Sequence, residues 1–261
     1  MEQTQPPEPL THDRCANSTT RDCLARGRVL IVGIGGLGAP SALRLAAAGV
    51  GTLGLIDGDT VDLSNLHRQV IYRTADIGEL KVVAAAERLA ALYPAVTVLR
   101  FAQRLTADNV AQIFRNFDFV IDATDGIASK YLVNDAAVLY RVPFSHAGVL
   151  AFQGQTMTVV PGQSACLRCL FPSPPPPADM PTCQEAGILG SVAGTFGIVQ
   201  ATEALKYLLG VGTLLTNRLL RYDALSARWH TVALARRRGC PLCGDQPTIH
   251  HLESADPPAC E

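Results

Sequence analysis

The chain has 261 residues and 48% hydrophobic content, which is enough to bury one large core. Its 22 basic and 23 acidic side chains leave a formal net charge of -1, so no overall field marks a nucleic-acid or membrane-surface protein. The least polar long stretch, residues 188–209, contains Gln200, Glu203 and Lys206, which argues against a membrane span. The sequence opens without a basic and apolar leader, so we expect a cytoplasmic protein with no nucleic-acid and no membrane partner.

The chain is predicted to form one main domain with an extension at each end. Residues 1–27 contain three prolines and no clean periodicity, which is typical of an N-terminal arm rather than of core. The domain is predicted over residues 28–244, with a proline-rich crossover loop at about residues 171–186. We expect residues 245–261 to form a disordered tail.

The segment from Val29 to Gly38 reads Val-Leu-Ile-Val-Gly-Ile-Gly-Gly-Leu-Gly, a strand followed by a glycine turn. Four consecutive apolar residues suit a parallel strand that is covered on both faces. Glycines let the backbone turn tightly and approach phosphate oxygens, and the dipole of the following helix favours negative charge at its N-terminus. Gly33, Gly35 and Gly38 therefore predict a nucleotide site.

Strands and helices alternate after this turn. Strands are predicted at residues 53–56, 96–101 and 117–121, with helices at residues 39–48 and 80–92 and from Ala107. Beyond Pro143, alternating runs interrupted by glycines indicate antiparallel strands, and a small-residue helix ending at Gly210 precedes a closing hairpin. The prediction is a Rossmann-like three-layer α/β/α fold, whose largely parallel sheet is extended by antiparallel strands.

An acid, Asp57, follows the second predicted strand. Units of this kind place an acid at about this distance to bind ribose hydroxyls. The glycine turn and Asp57 are as typical of nicotinamide or flavin oxidoreductases as of ATP-dependent enzymes, so these residues leave both classes open.

Charged side chains follow at the edge of the sheet where the ligand is expected. Arg68 can bind phosphate oxygens through two parallel bonds, and Lys81 can add a point charge; the alternative is a solvated loop and a helix-surface lysine. Asp125 follows a predicted strand at the end where open α/β sheets bind ligands. The alternative for Asp125 is a helix N-cap before Gly126.

Several motifs together resemble, in order and spacing, those of the MoeB/ThiF family of ubiquitin-activating-like adenylyltransferases. The similarity spans roughly residues 28–244. The residues that carry it are Gly33, Gly35, Gly36 and Gly38, Asp57-Gly58-Asp59, Ser64-Asn65-Leu66-His67-Arg68-Gln69, Lys81 and Asp122-Ala123-Thr124-Asp125.

The resemblance implies an enzyme that uses ATP to adenylate the C-terminal glycine of a ubiquitin-like sulfur-carrier protein ending in Gly-Gly. It implies that the four glycines and Arg68 bind the ATP phosphates, that Asp57 binds the ribose, and that Asp59, Ser64, Asn65 and Gln69 line the nucleotide site. Lys81 is implied near the α-phosphate, and Asp125 is implied to organise Mg²⁺. An ionised carboxylate needs no base to attack phosphorus, so catalysis should rest on positioning and electrostatic stabilisation.

Four of the eight cysteines form two Cys-x-x-Cys pairs, Cys166 with Cys169 and Cys240 with Cys243. This spacing is typical of a four-thiolate structural Zn²⁺ site. The pairs are about seventy residues apart, so the ion would clip the C-terminal hairpin onto the body. The alternative is a set of reduced, buried cysteines. An oxidoreductase leaves the clip unexplained.

Cys183 follows the proline-rich stretch, where the resemblance implies a thiol that bonds covalently to the carrier or to sulfur. The dipole of a helix beginning there could lower its pKa, which favours the thiolate. The alternative is an inert loop cysteine. Cys15, Cys23 and Cys260 have no predicted role.

The chain departs from the family pattern in two ways. It lacks the arginine-rich motif ahead of the glycine turn, one of whose arginines reaches the partner subunit's ATP in the family, and Arg14 and Arg21 are candidate substitutes. No sulfurtransferase domain follows Cys243, so a separate sulfur donor is expected. The resemblance implies a homodimer. The alternatives are a related enzyme that activates a peptide carboxylate or a tRNA base, and a non-catalytic scaffold.

Overall fold

The computed structural model describes residues 18–175 and 187–252. The strands are β1 (Arg28–Val32), β2 (Thr52–Ile56), β3 (Thr97–Phe101), β4 (Phe119–Asp122), β5 (Phe144–Leu150), β6 (Gln153–Val159), β7 (Arg218–Asp223) and β8 (Arg228–Ala233). The helices are α1 (Ser18–Arg26), α2 (Gly38–Ala47), α3 (Lys81–Leu92), α4 (Ala107–Phe114), α5 (Ile127–Tyr140), α6 (Leu167–Leu170) and α7 (Gly190–Leu209), with short 3-10 turns at Leu63–Asn65 and Thr74–Asp76.

The strands form one sheet of eight in the order β3-β2-β1-β4-β5-β6-β7-β8. The pairs from β3 to β5 are parallel, and the pairs from β5 to β8 are antiparallel. This confirms the predicted parallel sheet with an antiparallel extension. The order reverses between β1 and β4, which is the kind of switch point where open α/β sheets bind ligands.

The apolar core lies on both faces of the sheet. Along β1, Val29 and Ile31 pack with α2, α3 and α7 on one face, whereas Leu30 and Val32 pack with α4 and α5 on the other. All four side chains are buried, which explains why the strand is a continuous apolar run without alternation. The predicted three-layer arrangement is therefore confirmed.

Helix α7 is the longest helix of the described chain and ends where a left-handed residue is needed. Gly210 has φ +64° and follows the last helical residue, in agreement with the predicted stop. The helix buries Gln200 and Glu203 among its apolar residues. Among the described residues, no helix is both long enough and apolar enough to cross a bilayer.

The structure describes part of each of the two predicted extensions, residues 18–27 and 245–252. The arm was expected to run to residue 27, but α1 forms over Ser18–Arg26 because Leu24 is buried in the core against α7. The tail was expected from residue 245, yet the backbone N–H groups of Thr248 and Ile249 donate to the carbonyl of Pro241. Ile249 also packs against the core, so order extends to at least this residue. Residues 1–17 and 253–261 lie outside the described part of the chain.

Candidate active site

The glycine turn connects the end of β1 to the start of α2 in close contact with β4. Gly33 has φ +88°, and a Cβ there would lie 2.8 Å from the carbonyl oxygen of Ala123. A Cβ on Gly38 would lie 1.9 Å from the carbonyl oxygen of Gly33, so both positions require glycine. At Gly35 the nearest atom to an added Cβ is Nε2 of Gln69 at 3.7 Å, which leaves the middle of the turn accessible.

The start of α2 suits an anion. Its N-cap residue is Leu37, and no side chain caps the first N–H groups. Backbone donors at a helix start attract phosphate or carboxylate oxygens, and the dipole adds to this preference. The predicted phosphate position at the glycine turn is consistent with this geometry.

Asp57 stands at the carboxyl end of β2 and is held by the glycine turn. Its carboxylate accepts hydrogen bonds from the backbone N–H of Ile34 at 2.7 Å and of Asp59 at 2.9 Å. Burial raises the pKa of Asp57, although the nearby Lys81 ammonium and the two N–H donors act in the opposite direction. The remaining lone pairs of this carboxylate can accept hydroxyl donors such as those of a ribose.

Lys81 is a buried cation and not a helix-surface lysine. It begins α3, is 7% exposed, and its Nζ lies 3.1 Å from Oδ2 of Asp59. Arg104 approaches Asp59 from the solvent side at 3.4 Å. The solvated alternative for Lys81 is therefore wrong, because a buried ammonium is retained only with a charged or polar partner. Asp59 contacts Lys81 and its own neighbours, which was not predicted.

The polar run folds into a turn beside the glycines. Arg68 donates to the carbonyl of Ser64 at 3.2 Å and lies 3.4 Å from Oδ1 of Asn65, and Gln69 donates to the same Asn65 oxygen at 2.5 Å. Oε1 of the buried Gln69 has no hydrogen-bond partner among the described residues. A hydrogen-bond donor on a ligand that lies at the accessible glycine would satisfy this buried acceptor.

Tyr72 is a structural member of this site that the sequence did not single out. Its buried hydroxyl donates to the carbonyl of Ile34 in the glycine turn at 2.8 Å and lies 3.3 Å from the carbonyl oxygen of Lys81. Burial raises the pKa of Tyr72, so the hydroxyl remains a donor at neutral pH. Tyr72 thereby joins the glycine turn to the start of α3.

Asp125 lies just beyond β4 with an exposed side chain. The N-cap of α5 is Gly126, and no side chain caps this helix. Within residues 18–175 and 187–252, no hydrogen bond or ion pair involves the Asp125 carboxylate. The N-cap alternative is therefore wrong. A carboxylate without a protein partner, at the carboxyl end of a central strand, is suited to a hydrated cation.

Directly beneath Asp125 lies a buried polar group that the sequence analysis did not predict. Asp122 is fully buried and accepts from Nδ1 of His146 at 2.8 Å and from Oγ1 of Thr124 at 2.6 Å, and Nζ of Lys130 lies 3.6 Å away. Burial would raise the pKa of Asp122, but the charge of Lys130 and the hydrogen bonds outweigh it and hold the pKa at about 2. Burial lowers the pKa of His146, so this histidine is a neutral donor.

Helix α5, which carries Lys130, was not predicted as an element. The available signal was a single lysine ahead of the apolar run Tyr131-Leu132-Val133 and a strand that ends in an aspartate. The contacts among Asp122, Lys130 and His146 could not be predicted from one sequence, because the three residues lie on different elements that only the fold brings together.

The four predicted cysteines converge. Their sulfur atoms all lie within 4.8 Å of one another, with separations of 4.0 Å for Cys166–Cys169, 3.7 Å for Cys166–Cys240 and 3.4 Å for Cys169–Cys243. A tetrahedral ion with Zn–S bonds of ~2.3 Å requires sulfur separations of ~3.8 Å. The separations exceed a disulfide bond of ~2.05 Å, and all four cysteines are free thiols. The donor set therefore fits a zinc ion.

Two predicted residues lie outside the described part of the chain, namely Cys183 and Arg14. Arg21 is an exposed residue of α1. The structure places the glycine turn beside a group of predicted residues, namely Asp57, Asp59, Ser64, Asn65, Arg68, Gln69 and Lys81. Asp125 follows Ala123 and Thr124, which lie against Gly33.

The charge pattern of this site matches a polyphosphate. Two cations, Arg68 and Lys81, and the uncapped helix α2 could bind anionic oxygens, and Asp125 could hold a metal cation that neutralises phosphate charge. Such a set can stabilise the charge that develops when a nucleophile displaces pyrophosphate from a nucleotide. This charge pattern favours the ATP-dependent enzymes over the nicotinamide or flavin oxidoreductases that the glycine turn alone left open.

Comparison with known proteins identifies the family of the chain. The model of the ThiF family matches residues 14–242. A "Sulfur carrier protein adenylyltransferase" of Thermus thermophilus is 46% identical over 234 residues, which are 88% of this chain and 86% of that protein. "Adenylyltransferase and sulfurtransferase MOCS3" of Sus scrofa is 45% identical over 88% of this chain, and the match spans only 51% of that protein.

Solved structures share the fold. The crystal structure of Escherichia coli MccB with ATP has a TM-score of 0.77 and 22% identity, over 86% of this chain and 69% of that one. The structure of PaaA has a TM-score of 0.68 and 26% identity, over 84% of this chain and 67% of that one. The family match over most of the chain and the identity to the Thermus protein place this chain in the ThiF family.

Proposed function

We propose that this protein is an ATP-dependent adenylyltransferase that activates the C-terminal glycine carboxylate of a ubiquitin-like sulfur-carrier protein. The observation that carries the proposal is the convergence of Asp57, Arg68, Lys81 and Asp125 on an accessible glycine turn. The high identity to the Thermus thermophilus adenylyltransferase over nearly its whole length supports the same activity.

In the proposed reaction, the carrier's terminal carboxylate oxygen attacks the α-phosphorus of ATP. A new bond joins this oxygen to phosphorus, the bond from the α-phosphorus to the bridging oxygen breaks, and pyrophosphate leaves with that electron pair. Asp57 would hold the ribose, and Gln69 would satisfy its buried Oε1 on the nucleotide. Arg68 and Lys81 would neutralise phosphate charge, while the uncapped start of α2 binds oxygens through backbone N–H groups.

Two metals belong to the proposal. Asp125, whose carboxylate has no partner within residues 18–175 and 187–252, would bind Mg²⁺, which supplies charge neutralisation of the triphosphate when it is bound. Zn²⁺ would be bound by Cys166, Cys169, Cys240 and Cys243 and has a structural role, because all four positions are filled by protein ligands.

We further infer a homodimer, a cytoplasmic location and a separate sulfur donor. Cys183 is proposed as the thiol that bonds covalently to the carrier or to sulfur after adenylation. In the first case it attacks the adenylated carbonyl carbon and AMP leaves; in the second it takes a sulfane sulfur from a persulfide of the separate donor, whose thiolate leaves. Because an ionised carboxylate attacks phosphorus without a thiol, Cys183→Ala should keep pyrophosphate exchange and lose any covalent adduct with the carrier. A folded Cys183→Ala protein that loses exchange would instead place this thiol in the adenylation step.

ATP–pyrophosphate exchange tests the proposed function and its alternatives together. Each of three substrates is offered in turn, namely a carrier ending in Gly-Gly, a short peptide with a free C-terminus, and tRNA. Exchange that requires the Gly-Gly carrier is expected. Exchange with the peptide or tRNA alone would identify a related activating enzyme, and the absence of exchange with all three would indicate a scaffold.

A further inference from the structure

Lys130 is a buried charge with no part in the proposed chemistry. It lies in the first turn of α5, is 7% exposed, and its Nζ donates to the carbonyl oxygens of Thr124 and Ala147, both at 2.6 Å. Asp122 supplies the opposite charge at 3.6 Å. An ammonium is buried at considerable cost in hydration free energy, so its two short bonds and its charged partner indicate a defined task.

The bond to Thr124 is the informative one. The carbonyl of Thr124 belongs to the peptide unit that leads into Asp125, and a peptide unit is planar. Fixing this oxygen therefore fixes the direction in which the Asp125 backbone leaves the sheet. The peptide unit can turn only if the bond to Lys130 breaks.

The other polar groups of this loop are also bound from the inside. Thr124 donates to Oδ1 of Asp122 through its backbone N–H and its hydroxyl, and Nε2 of Gln200 donates to the carbonyl of Asp122 at 2.8 Å. The backbone N–H of Ala123 donates to Val32 at 2.9 Å. Residues 122–124 are thus held by β1, α5 and α7, whereas Asp125 is exposed.

We propose that Lys130 is a positioning residue, which holds the loop of residues 122–125 so that Asp125 is presented to the magnesium–nucleotide complex. The proposal rests on the proposed function of this site. Lys130 acts through Thr124 and does not contact the nucleotide itself. Asp122 then serves as its counter-ion, with the neutral His146 as a second donor that fixes the Asp122 carboxylate.

The test measures binding of a non-hydrolysable ATP analogue to the full chain by calorimetry, with and without Mg²⁺. Lys130→Met should weaken binding in Mg²⁺ by about tenfold or more, the effect typical of losing a group that orients a metal ligand, with little change in metal-free binding. Lys130→Arg retains the charge and the donors and should restore most of the magnesium effect.

Two further variants separate positioning from folding. Lys206 is a matched control, since its Nζ binds Glu203 and the carbonyl of Thr213 away from this loop. Lys206→Met should lower thermal stability and leave unchanged the magnesium effect, which is the gain in nucleotide affinity on adding Mg²⁺. The double variant Asp122→Asn with Lys130→Met removes the unpaired charge, so it should regain thermal stability over Lys130→Met and still lack the magnesium effect.

The outcomes distinguish this inference from the proposed function, because nucleotide binding requires no carrier. A Lys130→Met protein that keeps the full magnesium effect would overturn the positioning role, and so would a stabilised double variant that regains it. A wild-type protein whose nucleotide affinity is the same with and without Mg²⁺ would contradict both claims. A wild-type protein that binds magnesium–nucleotide and activates no carrier would contradict the proposed function alone.

Discussion

The charged residues of this site differ in whether they have a hydrogen-bond or ion-pair partner within the described protein. Lys81, Asp122 and Lys130 are buried, and each has a charged or hydrogen-bonding partner within the protein. Asp125 is exposed, and its carboxylate has no partner among the described residues. The buried groups fix the geometry of the site, whereas Asp125 and the orphaned Oε1 of Gln69 offer binding capacity to a ligand.

Replacing Asp125 tests the proposed magnesium role. Asp125→Asn should lower the rate of pyrophosphate exchange by about 100-fold or more, the usual size for loss of one electrostatic stabiliser. The melting temperature should stay close to that of the wild type, since the side chain is exposed. A folded variant with near-normal exchange would refute the assignment.

Acidification should destabilise the protein through Asp122 and His146. The folded pKa of Asp122 is about 2, below its ordinary value of 3.8, so its stabilisation is complete above pH 3.8 and is lost as the pH falls toward 2. That shift corresponds to about 2 kcal/mol of unfolding free energy. Burial lowers the pKa of His146 from 6.5, so the unfolded chain binds the extra proton and stability begins to fall below pH 6.5.

Urea unfolding at a series of pH values measures this dependence, and His146→Gln is the matched variant. Glutamine can still donate to Asp122 but does not titrate, so the slope of unfolding free energy just below pH 6.5 should flatten. An unchanged slope in His146→Gln would show that other groups cause it. A free energy of unfolding that increases as the pH is lowered below 6.5 would contradict the neutral state of the buried imidazole.

At the scale of elements, α5 contacts both the loop that carries Asp125 and the segment that carries the first cysteine pair. Its N-terminal turn carries Lys130, which binds the carbonyl of Thr124 beside Asp125, and its middle binds the two residues between Cys166 and Cys169. Oδ1 of Asn134 accepts from the backbone N–H of Leu167 at 2.8 Å, and Asp135 binds Arg168 through two bonds at 2.8 and 2.7 Å. Loss of the proposed zinc would therefore disturb a helix that also supports the nucleotide loop.

The cysteine clip is expected to bind one zinc ion per chain and to contribute to stability. Cys240→Ser should lower the zinc content and reduce the free energy of unfolding by at least about 3 kcal/mol, because separated segments share the ion. The control is Cys23→Ser, since Cys23 is a half-buried thiol of α1 that donates to the carbonyl of Leu208. Metal-free protein with unchanged stability, or equal loss in both variants, would contradict the structural zinc.

The elements were predictable to different degrees. The strands β1 to β4 and the helices α2 to α4 follow from buried apolar runs, glycine stops and the alternation of strand and helix. Helix α5 has no clear apolar stripe, since it buries Lys130, Asn134 and Asp135 with its apolar residues. Helix α1 is short and polar, and its order comes from packing against α7, which a local pattern does not contain.

The candidate site was predictable where a motif is local. The glycine turn, Asp57 and the two cysteine pairs each lie within a few residues of sequence. The buried group of Asp122, Lys130 and His146 joins residues up to 24 positions apart, and Gln200 binds Asp122 across 78 positions. Contacts of this range depend on the order of strands in the sheet, which no single sequence motif encodes.

The whole molecule divides its sheet between two tasks. The parallel strands bring the glycine turn, Asp57 and Asp125 to one edge at the β1–β4 switch point. The antiparallel strands from β5 to β8 lead to the cysteine cluster, in which Cys240 and Cys243 follow β8 and return to the pair at α6. The proposed nucleotide site and the cysteine cluster are thus separate regions joined by α5 and by the core.

The mass of the carrier after reaction tests the central claim most directly. The full chain is incubated with ATP, Mg²⁺ and a carrier ending in Gly-Gly, and the C-terminal fragment of the carrier is analysed by mass spectrometry. We expect a mass increase of one AMP on the terminal glycine, absent when this glycine is removed and absent with Asp125→Asn. An unmodified terminal glycine despite bound ATP, or AMP on another residue, would contradict it.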